Sequence, residues 1–507
     1  MKYHVTLMPS GKKLEAEAGE NLLSVLRREG IYVPAYCGGK GTCGKCLVRV
    51  DGVWQKACSL IVDKDLTVEI KEEQKAKVLT KFTVGTEQEE VLTERETGPD
   101  KEIDRFDLAV DIGTTTIASF LLDDKGGILA MAGRLNPQCE YGADVVSRLQ
   151  YAREHGTESQ VRAVRKAVCE LVKELVEQSG MTADHAALRK VRNFCTVGNP
   201  AMQQLFLDLP IDNLLQIPYH PVILTGKQEP LTGILPDLDR EADDIIHITV
   251  PDVSAYVGAD TVAAALAEGL DQRTEPTLLV DIGTNGEMML SDGKKLYACA
   301  TAAGPAFEGA SIRFGMHAAE GAIDHVSLVD GRIVCHVIGE GQAIGICGSG
   351  LIDAISCFLE KGDLDRRGKI KLTGGTLPLT GDVYLTQEDV RALQTAKGAV
   401  AAGIELMIRE AAMEEDQISK VLLAGAFGSY IQPESACRIG LLPEKLLEKV
   451  KSVGNAAGKG ACLIASDPDQ MERAEKIAKD TTLTELSTHP QFDRCFAKNM
   501  YFTVKDR

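Results

Sequence analysis

No run of about 18 apolar residues occurs in the 507-residue chain, so nothing in it reads as a membrane-spanning helix. The opening stretch, Met1 to Leu7, also lacks the hydrophobic segment of a signal peptide, and a cytoplasmic protein without a membrane partner is expected. Basic residues are in deficit: 56 lysines and arginines face 74 acidic residues, for a net charge of -18, with no basic block or aromatic-basic stripe. That balance argues against nucleic acid as a partner. Histidine is sparse, and none of the nine forms a pair at helical spacing, so no metal is assigned to it. Tryptophan occurs once, at Trp54, where packing is expected rather than electron relay.

Cysteine is the contrast. Of 14 cysteines, four stand close together as Cys37-Gly-Gly-Lys-Gly-Thr-Cys43-Gly-Lys-Cys46 followed by Cys58. Four thiolates at such spacing can hold one iron–sulfur cluster, and the intervening glycines let backbone N–H groups turn toward its sulfurs. The gaps of five, two and eleven residues are a variant of the plant-type ferredoxin run, and a [2Fe–2S] cluster is the preferred reading. A structural zinc site is the alternative, although zinc ribbons pair two Cys-x-x-Cys knuckles and only one is present. The other ten cysteines, scattered through apolar or small-residue segments, are expected to be reduced structural thiols, with Cys347 in a glycine turn the least typical.

Around the cluster run, the chain reads as a strand (Tyr3 to Met8), a turn at Pro9 to Lys12, a second strand to about Ala16, and a helix from near Asn21 carrying Leu22, Leu23, Val25 and Leu26. A hairpin follows, Leu47 to Val50 and Val53 to Cys58 about an Asp51-Gly52 turn, which returns Cys58 to the other three. This is the order of a β-grasp ferredoxin. Residues from about Lys71 to Arg105 are rich in Glu, Lys, Thr and Asp and read as a charged linker, with a short element around Val78 to Val84 left open.

From Phe106 the pattern becomes α/β. The buried strand Leu108 to Asp111 enters Gly113-Thr114-Thr115-Thr116, and strands at Ile117 to Leu122 and from Ile128 follow. The same order recurs at Thr277 to Leu290 and Leu296 to Ala298, an internal repeat offset by 170 residues that carries a second Asp-Ile-Gly-Thr at Asp281. Such loops suit phosphate. Gly113 and Gly283 permit close backbone approach, the amides and hydroxyls after them (Thr114, Thr115 and Thr116; Thr284, Asn285 and Gly286) donate, and Asp111 or Asp281 can hold Mg²⁺ through water or orient an attacking water. Gly345 to Gly350, ahead of a helix starting near Leu351, reads either as an anion site at a helix N-terminus or as a plain tight turn. Val161 to Val176 reads as an ordinary amphipathic surface helix.

These segments carry a resemblance. Asp111 to Thr116, Asp281 to Glu287 and Ala424-Gly425-Ala426-Phe427-Gly428 resemble the first phosphate, second phosphate and adenosine motifs of the actin/sugar kinase/Hsp70 superfamily of ATPases. Joined to a ferredoxin, the chain is similar to the reductive activators of corrinoid-dependent methyltransferases and corrinoid iron–sulfur proteins. The likeness extends over Val197 to Met202, Tyr256 to Asp260, Ala302 to Ala310 and Gly454 to Ala461. It implies that Gly425, Ala426 and Gly428 contact adenosine. It also implies that Asp260 and Asn455 lie near the segments joining two lobes, Asp260 as Mg²⁺ ligand or base. A helix N-terminal role for Asp260 is the competing reading.

The expected organisation is a ferredoxin domain (1–75), a linker (76–105), and two lobes (106–276 and 277–507) of an α/β actin-like, duplicated RNase H-like ATPase region. The implied function is ATP-dependent reduction of a Co(II) corrinoid protein, or of a corrinoid-dependent methyltransferase, by one electron from the cluster. An upstream ferredoxin- or flavodoxin-type donor and an anaerobic setting go with it, and homodimerisation stays open. The alternatives are a redox-sensing ATP-binding regulator and an activator of a dehydratase or reductase.

Overall fold

The computed structural model describes residues 2–29, 31, 33, 39, 41, 45–70, 105–181, 190–235, 245–339, 341–428 and 430–503. The expected linker, the element around Val78 to Val84, and two of the cluster cysteines, Cys37 and Cys43, lie outside them. The chain divides into two compact units, Met1–Lys75 with Pro137–Gly156, and Ala76–Asn136 with Thr157–Arg507.

In the first unit, β1 (Lys2–Met8), β2 (Lys13–Glu17), β3 (Leu47–Val50), β4 (Val53–Lys56) and β5 (Leu66–Glu69) form one sheet in the order β2-β1-β5-β3-β4. Alternation on β1 and β2 turns Val5, Leu7, Leu14 and Ala16 to one face, where helix Leu22–Arg28 covers them with Leu22, Leu23, Val25 and Leu26. The β3–β4 hairpin turns at Asp51 (φ 48°) and Gly52 (φ 87°), the two left-handed residues that match the twist of the strands. The return strand is shorter than expected. It ends at Lys56, and Cys58 sits in a 3₁₀ turn, Ala57–Ser59, whose Ala57 N–H bonds the Cys46 carbonyl at 2.7 Å. Trp54 lies on edge strand β4, whose four residues are all exposed on one face or the other, and keeps 46% of its surface accessible.

The second unit holds two six-stranded sheets. One orders β6 (Phe106–Ile112), β7 (Thr116–Leu122), β8 (Ile128–Leu135), β9 (Val191–Gly198), β10 (Lys227–Pro230) and β11 (Ile246–Thr249) as β10-β11-β9-β6-β7-β8. Next along the chain come β12 (Thr277–Ile282), β13 (Gly286–Ser291) and β14 (Leu296–Thr301). A three-stranded sheet, β15 (Ala322–Val329), β16 (Arg332–Val337) and β17 (Gly345–Ile346), and a pair, β18 (Thr376–Pro378) and β19 (Tyr384–Thr386), intervene before β20 (Lys420–Ala424), β21 (Val450–Gly454) and β22 (Thr481–Leu483). The second large sheet runs β21-β20-β12-β13-β14-β22. In each, a first strand pairs antiparallel with a second and the second with a third, while a parallel neighbour adjoins the first strand's other edge. The sequence repeat is therefore a repeat of topology. β6 and β12 are buried almost throughout, as expected of strands covered on both faces.

Two helices rich in small residues, Ala259–Ala267 and Ala456–Ser466, pack directly on each other. At Gly460 a Cβ would stand 2.0 Å from the Ala263 carbonyl oxygen, so only glycine permits the crossing. Helix Glu158–Gln178 buries one apolar stripe. Nine of the ten cysteines outside the cluster run are buried and Cys335 is half-buried, all as free thiols. No helix among the described residues is long and apolar enough to cross a membrane.

The end of the chain is fastened by a buried amine. Lys397, on helix Gln387–Glu410, is fully buried, donates to the Tyr501 carbonyl, and stands 5.5 Å from the centre of the Phe502 ring. Burial lowers its amine to about 7. An unfolded lysine titrates near 10.4, so between about pH 7 and 9 the unfolded chain binds a proton that the folded chain does not, and this group makes stability rise with pH. Lys397→Met should remove up to about 1.4 kcal/mol of stabilisation per pH unit across that window. Melting temperatures of both proteins from pH 7 to 9 should diverge in the wild type's favour; parallel curves would contradict a neutral buried amine.

Candidate functional site

Between β6 and β7, and between β12 and β13, the chain makes two equivalent hairpin loops. Asp111 and Asp281 are the penultimate residues of β6 and β12, and the loops follow at Gly113 to Thr115 and at Gly283 to Asn285. Their hydroxyls meet: Thr115 Oγ1 and Thr284 Oγ1 lie 3.2 Å apart. Both loops are fastened from behind. Asn136 donates its side chain to the Gly113 carbonyl (2.8 Å) and its N–H to that of Thr115 (2.7 Å), while the Gly304 N–H bonds the Thr284 carbonyl (3.0 Å).

Around this meeting point is a cavity of about 200 Å³. Of the expected residues, Asp111, Gly113, Thr114, Thr115, Thr116, Asp260, Asp281, Gly283, Thr284, Asn285, Gly425 and Asn455 line it. Gly286 and Gly428 do not. Gly286 begins β13, where a Cβ would stand 2.8 Å from Val400, and at Gly428 it would meet the Leu423 backbone at 3.4 Å. The side chain of Ala426 lies outside the described residues. Asp260 has the helix N-terminal position of one of its two readings: it sits in the first turn of helix Ala259–Ala267, accepts from the Thr261 N–H at 2.7 Å, and also lines the cavity. Asn455 caps helix Ala456–Ser466 by accepting from the Gly458 N–H (2.7 Å) and donates to Asp111 Oδ2 (2.9 Å). The crossing at Gly460 thus aims both helix starts into one space.

Three residues without an assigned role in the sequence also line the cavity. Asn199 donates to Thr114 Oγ1 at 3.0 Å. Glu287 stands directly across from Asp281 in the β12–β13 ladder, is 8% exposed, and its Oε1 has no hydrogen-bond partner. Glu308 accepts from Thr115 and from Thr284, each at 2.7 Å. The motif and segments quoted above contained all three, but only tertiary contacts single them out. At the Gly345 to Gly350 turn, Cys347, Gly348 and Ser349 reach the cavity wall. Gly345 and Gly350 are glycines for packing, since a Cβ there would fall 2.5 Å from the Phe314 carbonyl oxygen and 2.3 Å from that of Ile323.

The charge pattern is one-sided. Asp111, Asp260, Asp281, Glu287 and Glu308 all line the cavity, and none of its described lining residues is lysine or arginine. Burial, reinforced by the Asp260 carboxylate, pushes Asp111 and Asp281 up to about 7, against the Asn455 bond that favours the Asp111 anion. Burial raises Asp260 to about 6 and, with Asp260 and Asp281 nearby, lifts Glu287 well above the ordinary carboxylate range. Buried together, such a set favours protonated carboxyls over adjacent charges.

In the first unit, Cys46 immediately precedes β3 and Cys58 is the middle residue of the turn beyond β4, with their Sγ atoms 3.1 Å apart. Asn21 joins this turn to the helix: its Oδ1 caps the Leu23 N–H (3.0 Å) and its Nδ2 donates to the Cys58 carbonyl (2.8 Å). Two sulfurs held this closely suit ligands of one shared metal ion, and Gly39 and Gly41 nearby adopt positive φ.

Gly425 (φ 88°) begins the segment after β20, and a Cβ there would stand 2.3 Å from Asp281 Oδ1. At Gly283 it would meet only the Asn285 carbonyl, at 3.6 Å. Gly425→Ala should destabilise the second unit by about 1–3 kcal/mol, whereas Gly283→Ala should stay within about 0.5 kcal/mol of wild type. Thermal unfolding of the pair checks this; equal losses would contradict the assigned packing.

Comparison with known proteins bears on both units. Residues 5–79 match the 2Fe-2S iron-sulfur cluster binding domain, residues 106–273 the RACo middle region, and residues 275–507 the C-terminal domain of RACo, the ASKHA domain. The corrinoid activation enzyme RamQ of Eubacterium limosum is 33% identical over 437 residues, covering 80% of this chain and 71% of that protein. The [Co(II) methylated amine-specific corrinoid protein] reductase of Methanosarcina barkeri is 26% identical over 413 residues, 75% of this chain and 74% of its own. The solved structure of a reductive activator for corrinoid,iron-sulfur protein matches with a TM-score of 0.70 at 27% identity, covering 99% of both chains. A ferredoxin-type cluster domain followed by an ASKHA domain, matched by such relatives over most of its length, places this chain in the RACo family of reductive activators of corrinoid proteins.

Proposed function

We propose that this chain couples ATP hydrolysis to the transfer of one electron onto the Co(II) of a corrinoid protein, regenerating Co(I) for methyl transfer. The observation that carries the reading is the meeting of the two phosphate loops: hydroxyls from equivalent hairpins of two sheets stand 3.2 Å apart in a carboxylate-lined cavity. Phosphates entering between them would be held by both sheets at once. Packing leaves room at Gly283, so the glycine there is accounted for by close approach of a phosphate.

A cavity with five carboxylates and no lysine or arginine among its described lining would repel a nucleotide polyphosphate alone. Mg²⁺ suits both parties, with Asp111, Asp281 and Asp260 as its protein ligands through oxygen or water; bound there, it would neutralise phosphate charge during transfer. We assign Asp260 and Asp281 as the groups that would orient the attacking water. Cys37, Cys43, Cys46 and Cys58 would hold the [2Fe–2S] cluster, which supplies one-electron chemistry. We assign Gly425, Ala426 and Gly428 to the adenosine end of the site, and the boundaries 1–75, 76–105, 106–276 and 277–507 to ferredoxin, linker and two lobes. A ferredoxin or flavodoxin refills the cluster in this scheme.

ATP is needed for a thermodynamic reason. Each shortfall of about 59 mV in a one-electron step costs a factor of ten in equilibrium, and Co(I) is a strong reductant. Nucleotide held by both sheets can alter their relative position, and a partner gripped differently in the two states has its cobalt environment changed.

Asp111→Ala and Asp281→Ala should each lower corrinoid-dependent ATP hydrolysis by about a hundredfold or more while leaving the cluster's visible spectrum unchanged. Cys46→Ser should do the reverse, losing the spectrum and keeping nucleotide binding. Phosphate release and absorbance, measured anaerobically on the same preparations, check both; hydrolysis surviving either aspartate change would contradict the site.

A further inference from the structure

Thr115 and Thr284 each have one hydroxyl proton, and both protons are already committed. Thr115 donates to Oε2 of Glu308 and Thr284 to Oε1, at 2.7 Å in each case. With both protons on the carboxylate, the 3.2 Å contact between the hydroxyl oxygens is a meeting of lone pairs rather than a hydrogen bond. What joins the two loops is therefore Glu308. Its backbone is braced: Phe307 is buried beside it, and the chain after it crosses itself so tightly that a Cβ on Gly315 would lie 2.0 Å from the Gly309 carbonyl oxygen. Gly304, four residues before it, is bonded to the Thr284 carbonyl.

A phosphate oxygen only accepts hydrogen bonds, so it competes with Glu308 for those two protons, and its charge repels the carboxylate. Resting on the nucleotide reading above, we propose that Glu308 is a positioning residue which clasps the two phosphate loops through Thr115 and Thr284 and is displaced by the nucleotide's terminal phosphate. The exchange of carboxylate for phosphate is then the step at which nucleotide binding changes what holds one sheet to the other. Part of the binding free energy is spent on opening the clasp, so the clasp weakens affinity and couples it to the position of the sheets.

The test uses the full cluster-loaded chain with Mg²⁺ and a fluorescent ATP analogue, comparing wild type with Glu308→Ala and Glu308→Gln. Loss of the clasp should tighten binding about tenfold in Glu308→Ala and by less in Glu308→Gln, which keeps one acceptor. Without nucleotide, amide exchange in residues 113–116 and 283–286 should quicken in Glu308→Ala, and nucleotide should restore the wild-type rate. A residue with a purely structural role would weaken binding when removed, the opposite sign. Unchanged or weaker binding by Glu308→Ala, beside a wild type that binds, would overturn the clasp alone. A wild type that binds no nucleotide would overturn the clasp together with the nucleotide reading.

Discussion

Carboxylates that face one another away from water need a positive charge or a proton between them, and this chain builds its second unit around that need. Asp111 and Asp281 close equivalent strands of two sheets, Asp260 comes in on a helix start, and Glu287 stands opposite Asp281. In isolation the arrangement destabilises, since burial and mutual repulsion both favour the protonated forms. Its structural supports are specific nonetheless. The glycine crossing of two helices, the Asn455 amide on Asp111 and the positive-φ Gly425 against Asp281 each fix one carboxylate in place. Protonation relieves that repulsion in the unliganded chain, and the magnesium nucleotide proposed above would relieve it by supplying a cation.

The ferredoxin-type unit follows a different logic, in which a few hydrogen bonds align two sulfurs. Asn21 connects the helix N-terminus to the turn bearing Cys58, and the Ala57 N–H bonds the carbonyl of Cys46. The cysteine pair is thus positioned by the same residues that begin the helix and end the hairpin. Edge strand β4 beside it is exposed along its whole length, Trp54 included.

Much of this was legible in the amino-acid order because it is local. Alternation revealed β1 and β2, the Asp51-Gly52 pair its hairpin, and two Asp-Ile-Gly-Thr runs the duplicated strand–loop–strand units. Strand β5 has no such local signal: four residues, Leu66 to Glu69, gain their strand character only by pairing with β1 and β3. Cys58 reads as a strand residue because nothing nearby in sequence shows that the ladder stops at Lys56. How much of Trp54 stays accessible is likewise not a local property, since it depends on what lies across the sheet. Glu287 and Glu308 carry no local signature. Glu287 matters because the β12–β13 register sets it against Asp281, and Glu308 because two loops 169 residues apart converge on it. Nor does the sequence separate the physical reasons for its glycines: Gly345 and Gly350 serve packing, Gly425 a positive φ, and Gly283 has open space beside it.

The central claim is that nucleotide bound between the two loops drives an electron onto cobalt. The most direct measurement mixes the reduced, cluster-loaded protein anaerobically with Co(II) corrinoid proteins of its own organism and follows Co(I) absorbance with and without Mg-ATP. The account predicts growth of Co(I) with a cognate partner only when Mg-ATP is present. Co(I) formed equally well without nucleotide, or none formed with any of these partners by a protein whose cluster is intact, would contradict it.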